Sequence, residues 1–440
     1  MEFIAFIVTV LVGFVAESLL GNWLNWPGVG AVFAAAAAAA FILRALRRKE
    51  APAETQSDAQ SPGGCPAGRK NDFWCREAEK RMSRFLAGAL RAVTPYTPGE
   101  QPRGVETLIK LNTNENPYPP SPKVLEALNG RAAENLRLYS DPACADFLAA
   151  LAETFGVGRD QVFAGNGSDE VLAFAFLAFC EKGAAFADIT YGFYPVFAQL
   201  FGIAAQEVPL REDFSVNTGD YAGVPGTVFL ANPNAPTGLC LPLAEIEALL
   251  RQDPDRLVVV DEAYVDFGGE SAACLLGRYD NLLVVGTFSK SRSLAGARLG
   301  YAVGSPALIA DLNTVKFSFN PYNINRLTLL AGEAALADAP YFARCCTQVA
   351  AVRDETAQAL RALGFTVTDS KTNFLFAGAH PAVSGGEYYA ALRQSSILVR
   401  HFTLPRIENW VRITVGTAAQ MQRLVDVTKQ ILDARHSAAR

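Results

Sequence analysis

Short apolar, β-rich runs recur through the middle of the chain: Gln161–Ala164, Ala184–Asp188, Thr227–Ala231, Leu257–Val260, Leu282–Thr287 and Gly300–Val303. Most lack an inside–outside alternation, which predicts strands buried on both faces of a sheet. Helical spacing fills several gaps, at Asp169–Cys180, Phe193–Phe201 and Leu243–Arg251. Strand and helix in turn predict an α/β fold with a mainly parallel central sheet. The texture changes near Asn320-Pro321-Tyr322. A long helical stretch, roughly Asn325 to Leu363, is followed by strand-like Thr366–Thr368, Asn373–Phe376, Ile397–Arg400 and Trp410–Val415, then by a last helix, Ala419–Ala434. This predicts a large domain over 123–319 and a smaller α+β domain over 320–440. Residues 71–122 form an arm and part of the small domain. Within that arm Phe85, Leu86, Ala89, Leu90 and Val93 give a helical stripe over Phe73–Val93, ended by Pro95, Pro98, Gly99 and Pro102.

The first residues follow another pattern. Phe3 to Ala16 carries no charge, Glu17 interrupts, and Ser18 to Leu43 is again uncharged, with alanine throughout Ala34–Ala40. Trp23, Asn25, Trp26, Pro27 and Gly28 make a turn between the two runs, and Arg44, Arg47, Arg48 and Lys49 follow them. The pattern predicts a membrane hairpin within 1–49, with helices at about 4–22 and 29–46 and the catalytic part tethered on the cytoplasmic side. A signal peptide fits less well, because no basic segment precedes the apolar run. Residues 50–70, rich in Pro, Ser and Gly, read as a flexible linker.

Composition narrows the function classes. Of 440 residues half are hydrophobic, enough for two domains and a large core. A net charge of −5 argues against nucleic acid as a partner. The eight cysteines are scattered without a CxxC pair and there are three histidines, which speaks against a zinc site and suits a reducing compartment.

The candidate chemistry centres on Ser289-Lys290, with Arg298 eight residues beyond the lysine. Asp261 and Tyr264 close the run Leu257–Val260, and a strand's carboxyl end is where open α/β sheets bind ligands. Gly165-Asn166-Gly167-Ser168-Asp169 joins a strand to a helix, where free N–H groups and the helix dipole attract phosphate. Thr287, Ser289 and Arg298 extend that cradle. Tyr191 offers a ring for stacking, and Tyr139 a phenol within a turn. Any of these alone has a plain structural explanation, as a surface lysine, a capping carboxylate or a helix cap. Together an amine, a carboxylate, a phenol and an anion cradle suit pyridoxal phosphate, whose aldehyde, ring nitrogen, hydroxyl and phosphate need those partners. Arg412 lies in the apolar run Trp410–Val415, and a buried guanidinium needs an anion. Arg400 is a second such cation. The polar segment Leu111–Pro117, with Asn116, is placed to fold over the site.

With these segments the chain resembles fold-type I aminotransferases, and among them the histidinol-phosphate aminotransferases, from about Thr94 to the C-terminus. The resemblance is carried by Pro95–Pro102, Asn114-Glu115-Asn116-Pro117, Tyr139–Pro142, Gly167–Glu170, Thr190-Tyr191-Gly192, Asp261–Tyr264, Phe288-Ser289-Lys290 and Arg412–Gly416. It implies that Lys290 holds the cofactor and later moves the substrate α-proton. It implies that Asp261 pairs with the ring nitrogen, Tyr264 with the ring hydroxyl, and that Tyr191 stacks. Ser168, Asp169, Thr287, Ser289 and Arg298 would hold the phosphate, and Tyr139 would reach it from the other subunit of a homodimer. Arg412, with Arg400 nearby, would bind the substrate's carboxylate or phosphate, with glutamate and imidazole-acetol phosphate as the partners of a step in histidine biosynthesis. An aminotransferase for aromatic or other amino acids, a threonine-phosphate decarboxylase-like enzyme, and a membrane-anchored non-catalytic relative are the alternatives.

Three positions depart from the family pattern. Ala235 stands where an asparagine usually precedes Pro-Thr-Gly, leaving Asn232 or Asn234 as stand-ins beside the cofactor, or Tyr264 to act alone. Arg292 replaces a usual apolar residue, with the expectation of added charge near the phosphate or an altered substrate choice. The N-terminal apolar segment has no counterpart in the pattern.

Overall fold

The described residues hold twelve strands, most of them at the runs just described. A computed structural model of the chain describes residues 83–102, 108–378 and 380–438, which fall in one compact unit. The strands are β1 (Ile109–Lys110), β2 (Val162–Gly165), β3 (Ala184–Ala187), β4 (Ala205–Val208), β5 (Thr227–Ala231), β6 (Val258–Asp261), β7 (Leu282–Thr287), β8 (Gly300–Gly304), β9 (Phe374–Ala377), β10 (Ile397–Leu398), β11 (Arg400–His401) and β12 (Val411–Thr414). A seven-stranded sheet runs β2-β8-β7-β6-β5-β3-β4. Its strands are parallel except β8, which opposes both neighbours.

The central strands are buried on both faces, as their unbroken apolar runs require. Phe229, Val259, Leu283 and Val285 pack to one side against Phe176, Phe186 and Tyr194. Val228, Leu230, Val258, Val260 and Val284 pack to the other, against Ile246, Leu249 and Leu250 of the helix Leu243–Gln252. At the sheet edge β4 is mostly exposed, and its polar residues mask it from apolar pattern recognition. A smaller sheet, β11-β12-β9, lies with the helices Ala339–Ala362, Gly385–Gln394 and Ala418–Ala438, and β1 pairs with β10. Leu360, Phe374, Ile413 and Leu424 share its core with Tyr264 and Phe267, so the two sheets meet at the end of β6.

Several expectations are corrected. The long helix over Asn325–Leu363 is two helices, Arg326–Leu336 and Ala339–Ala362, broken at Ala337-Asp338 before a proline at the second helix's start. Thr366–Thr368 forms only a bridge at Val367. Within the described part of the Phe73–Val93 stripe there is a short 3-10 turn, Gly88–Ala92, with no buried residue, so nothing supports a full helix there. The hairpin predicted within 1–49 and the linker 50–70 lie outside the described residues. Among the described residues no helix is long and apolar enough to cross a membrane.

Candidate active site

Parallel strands aim their carboxyl ends at one edge of the sheet, and the residues leaving β2, β5, β6 and β7 meet there around a cavity. Ser168 and Asp169 come from the turn after β2, Ala231, Pro233 and Ala235 from β5 and beyond, Asp261 and Tyr264 from β6, and Thr287, Ser289 and Lys290 from β7. Arg298 closes the ring. Tyr191, Ala235, Tyr264 and Lys290 also line an adjoining cavity of about 510 Å³ that extends to Arg400 and Arg412.

Lys290 follows two buried residues, Phe288 and Ser289, and its Nζ lies 5.8 Å from the Tyr264 ring centre. Burial, then the positive charge of Arg412, lowers its pKa to about 8. A neutral amine is therefore accessible near physiological pH, which an imine-forming lysine requires. Asp261 is 5% exposed; burial raises its carboxyl to about 6, against the pull of the Tyr194 hydroxyl that donates to it at 2.9 Å. A buried carboxylate is costly without a cationic partner, and a protonated ring nitrogen would supply one. Tyr264 accepts at its phenol oxygen from Asn114 Nδ2 at 2.9 Å.

The cradle is built from close backbone approach. Gly167 adopts a φ of 81°, and a Cβ there would lie 2.5 Å from Arg298 Nη2. A Cβ on Gly300, at the start of β8, would lie 2.3 Å from the Ser168 N. Two glycines thus let the β2 turn, the Arg298 guanidinium and β8 converge at the amino end of the helix Ser168–Phe179. Arg298 Nη2 donates to Asp169 Oδ2 at 2.9 Å, and the other Asp169 oxygen accepts from Tyr191 at 2.6 Å. Thr287 Oγ1 donates to Ser289 Oγ at 2.9 Å, leaving Ser289 beside Arg298 Nη1 at 3.5 Å. This set of donors, with the lysine, carboxylate and phenol, fits pyridoxal phosphate.

At the far end, the β11–β12 register sets Arg400 directly opposite Arg412. Like charges in that position repel. Arg412 Nη2 donates to the Asn112 carbonyl at 3.2 Å, while its buried Nε has no partner. Burial pushes the Arg412 pKa down, against the pull of the Tyr264 phenol. Two cations and an unmet buried donor would suit an anion.

Three expectations change. Asn234 donates to the Ile189 carbonyl at 2.9 Å and accepts from Thr190 at 2.8 Å; it pins its own loop and does not line the lysine cavity. Asn232 likewise staples Leu241. Ala235 lines the wall, and Asn114 supplies an amide to Tyr264. Asn116 donates to the Lys290 carbonyl at 2.9 Å, holding the lysine's backbone and lining neither cavity. Arg292 points away, donating to the Ala335 carbonyl at 2.8 Å with its guanidinium 4.1 Å from the Phe342 ring centre. Tyr139 is 79% exposed and stacks on Tyr322, outside the cavity of its own chain. Asn114 and Tyr194 were missed as contributors. A left-handed φ of 56° at Asn114 is compatible with its residue type but invisible in sequence, as is the helix start that aims Tyr194 at Asp261.

Comparison with known proteins agrees with this geometry. Residues 106–427 match the model of the family described as aminotransferase class I and II. A histidinol-phosphate aminotransferase of Dechloromonas aromatica is 52% identical, over 80% of this chain and 99% of its own. One from Methylococcus capsulatus is 50% identical over 80% and 98%. The crystal structure of histidinol-phosphate aminotransferase from Sinorhizobium meliloti, in complex with pyridoxal-5'-phosphate, superposes with a TM-score of 0.72 at 24% identity, covering 80% of this chain and all of that one. L-threonine-O-3-phosphate decarboxylase from Porphyromonas gingivalis shares the fold at 23% identity and a TM-score of 0.64, with 74% of this chain and 100% of that one covered. From the lysine-bearing sheet edge to the family match, the chain belongs to the class I and II aminotransferases.

Proposed function

We infer that this chain is a pyridoxal-phosphate-dependent aminotransferase that exchanges an amino group between glutamate and imidazole-acetol phosphate, the latter becoming histidinol phosphate. The observation that carries the substrate end is the facing pair Arg400 and Arg412, with an unmet Arg412 donor, at the end of the cavity away from the cradle. One guanidinium receptor serves a carboxylate in one half-reaction and a phosphate in the other. Identity of about half to relatives named for histidinol phosphate supports that acceptor over an aromatic one.

When bound, pyridoxal phosphate supplies an electron sink for the substrate α-carbon. The protein's residues do the rest. Asp261 would pair with the ring nitrogen and favour its protonated form. Tyr264, held by Asn114, would donate to the ring hydroxyl, and Tyr191 would stack on the ring. Ser168, Thr287, Ser289 and Arg298 would hold the phosphate, with Asp169 orienting Arg298. Lys290 would hold the cofactor through its amine and serve as the base for the substrate α-proton.

A second copy of the chain completes the site in this reading. Leu136, Leu138, Tyr139, Phe319 and Tyr322 are exposed apolar side chains, and the exposure of Tyr139 supports the reading that it would reach the phosphate cradle of a second copy. The test is steady-state turnover of histidinol phosphate with 2-oxoglutarate, against phenylalanine in parallel. Histidinol phosphate is expected to give at least tenfold the kcat/KM of phenylalanine; the reverse order would move the enzyme to an aromatic substrate.

A further inference from the structure

The segment Phe402–Asn409 joins β11 to β12 and so links the two strands that carry Arg400 and Arg412. Phe402, Leu404 and Ile407 form a wall of the substrate cavity. At its middle, Arg406 crosses to the large sheet. Its Nη1 donates to Asp188 Oδ2 at 3.0 Å, and its Nη2 donates to the carbonyls of Leu210 at 3.0 Å and Arg211 at 2.6 Å. Asp188 is the residue after β3, and its other oxygen accepts from the Leu210 N at 2.9 Å.

The backbone agrees with a docked state. Arg406 holds a φ of 68°, a left-handed conformation that costs a residue with a Cβ and persists only where its surroundings fix it. Ile407 is buried among Ala187, Ile189, Leu210, Phe214 and Phe376. The His401 ring donates to the Glu408 carbonyl at 2.7 Å, closing the segment on itself. An exposed ion pair alone is worth little. Here one guanidinium gathers three acceptors, and an apolar plug sits beside it.

We propose that residues 402–409 are a strap shaping the substrate end of the cavity, and that Arg406 is the positioning residue that fixes it. Arg406 touches no substrate; it acts through Arg400 and the apolar wall. With the strap docked, Arg400 and Arg412 stand side by side on paired strands and line a cavity bounded by Phe402 and Leu404. With it released, the anion receptor loses a wall, while the Lys290 end, built on β5, β6 and β7, keeps its geometry. The ligand class is an amino or keto compound with an anionic end, so the proposal rests on the aminotransferase reading above.

The test compares the full-length wild type with Arg406→Ala and Arg406→Lys, each loaded with pyridoxal phosphate. In Arg406→Ala, backbone amides of 402–409 should exchange with solvent at least tenfold faster, with the central sheet unchanged. KM for histidinol phosphate and for glutamate should rise about tenfold, with kcat within twofold and the cofactor absorbance unaltered. Arg406→Lys, which keeps charge without the fork, should fall between. Unchanged exchange in 402–409, or faster exchange with unchanged KM values, overturns the proposal. A wild type inactive on histidinol phosphate sinks the substrate reading instead; the strap is then judged on exchange and on the glutamate KM alone.

Discussion

Lys290 illustrates how one residue's chemistry depends on what surrounds it. Burial and Arg412 hold its amine near a pKa of about 8 rather than 10.5. The neutral form attacks the cofactor aldehyde, so the rate of pyridoxal phosphate uptake by the apoprotein should rise about tenfold per pH unit below 8 and level off above it. Stopped-flow absorbance between pH 6 and 10 reads this, and a rate still climbing at pH 10 would place the amine's pKa at its ordinary value. Lys290→Ala should lower kcat/KM by about 10²–10⁴ or more, since it removes the proposed proton carrier. Asn114→Ala leaves the buried Tyr264 hydroxyl without its amide and should weaken cofactor binding by about 1–3 kcal/mol, read by fluorescence titration. An unchanged Kd would mean that the amide is not what holds the phenol. Residue identities were legible here because Lys290, Asp261 and Tyr264 sit at strand ends in a fixed order. The segment holding Asn114 was legible, but its bond to Tyr264 was not, because the chain crosses from β1 to the cavity by a route with no periodic signal. Nor was the diversion of Asn234, whose amide is used by Ile189 and Thr237.

Among elements, the junction of β2, its following helix and β8 is the most tightly constrained. Gly300→Ala would push a methyl against the Ser168 backbone, which cannot move without opening the anion cradle. The substitution should cost about 1–3 kcal/mol in stability, the usual range for overpacking, and lower pyridoxal phosphate affinity at least tenfold. Thermal unfolding of the apoprotein and cofactor titration measure the two effects, and loss of stability without loss of affinity would separate β8 from the cradle. The central strands were legible because burial on both faces leaves unbroken apolar runs. Edge strand β4, with Gln206 and Glu207, and the two-residue strand β1 carry too little apolar sequence to signal themselves, whereas the run Ile397–Arg400 signalled one strand where the structure has two short ones, β10 and β11. Helix Ala418–Ala438 was legible from Met421, Leu424, Val425, Val427 and Leu432, which repeat with helical spacing into the small-sheet core.

At the scale of the molecule, the site depends on the meeting of two sheets. The large one supplies Lys290, Asp261 and the cradle, and the small one supplies Arg400 and Arg412. No run of sequence announces that meeting, since β6 and β12 lie 150 residues apart between Asp261 and Val411. The exposed stack of Tyr139 on Tyr322 leads to a prediction for assembly. Sedimentation should give a mass twice the 47.2 kDa chain, and Tyr139→Ala should raise the Kd of pyridoxal phosphate without altering Lys290 reactivity. A monomer with full activity would contradict a shared site. The measurement that bears most directly on the central claim is a sequential half-reaction with the full-length enzyme. Glutamate is added first, until the absorbance of the lysine-bound cofactor is lost, and excess is removed; imidazole-acetol phosphate follows. The account predicts that the absorbance returns with one histidinol phosphate formed per site, and that Lys290→Ala does neither step. Absorbance that returns only with another keto acid, or a Lys290→Ala enzyme that completes the cycle, would contradict it.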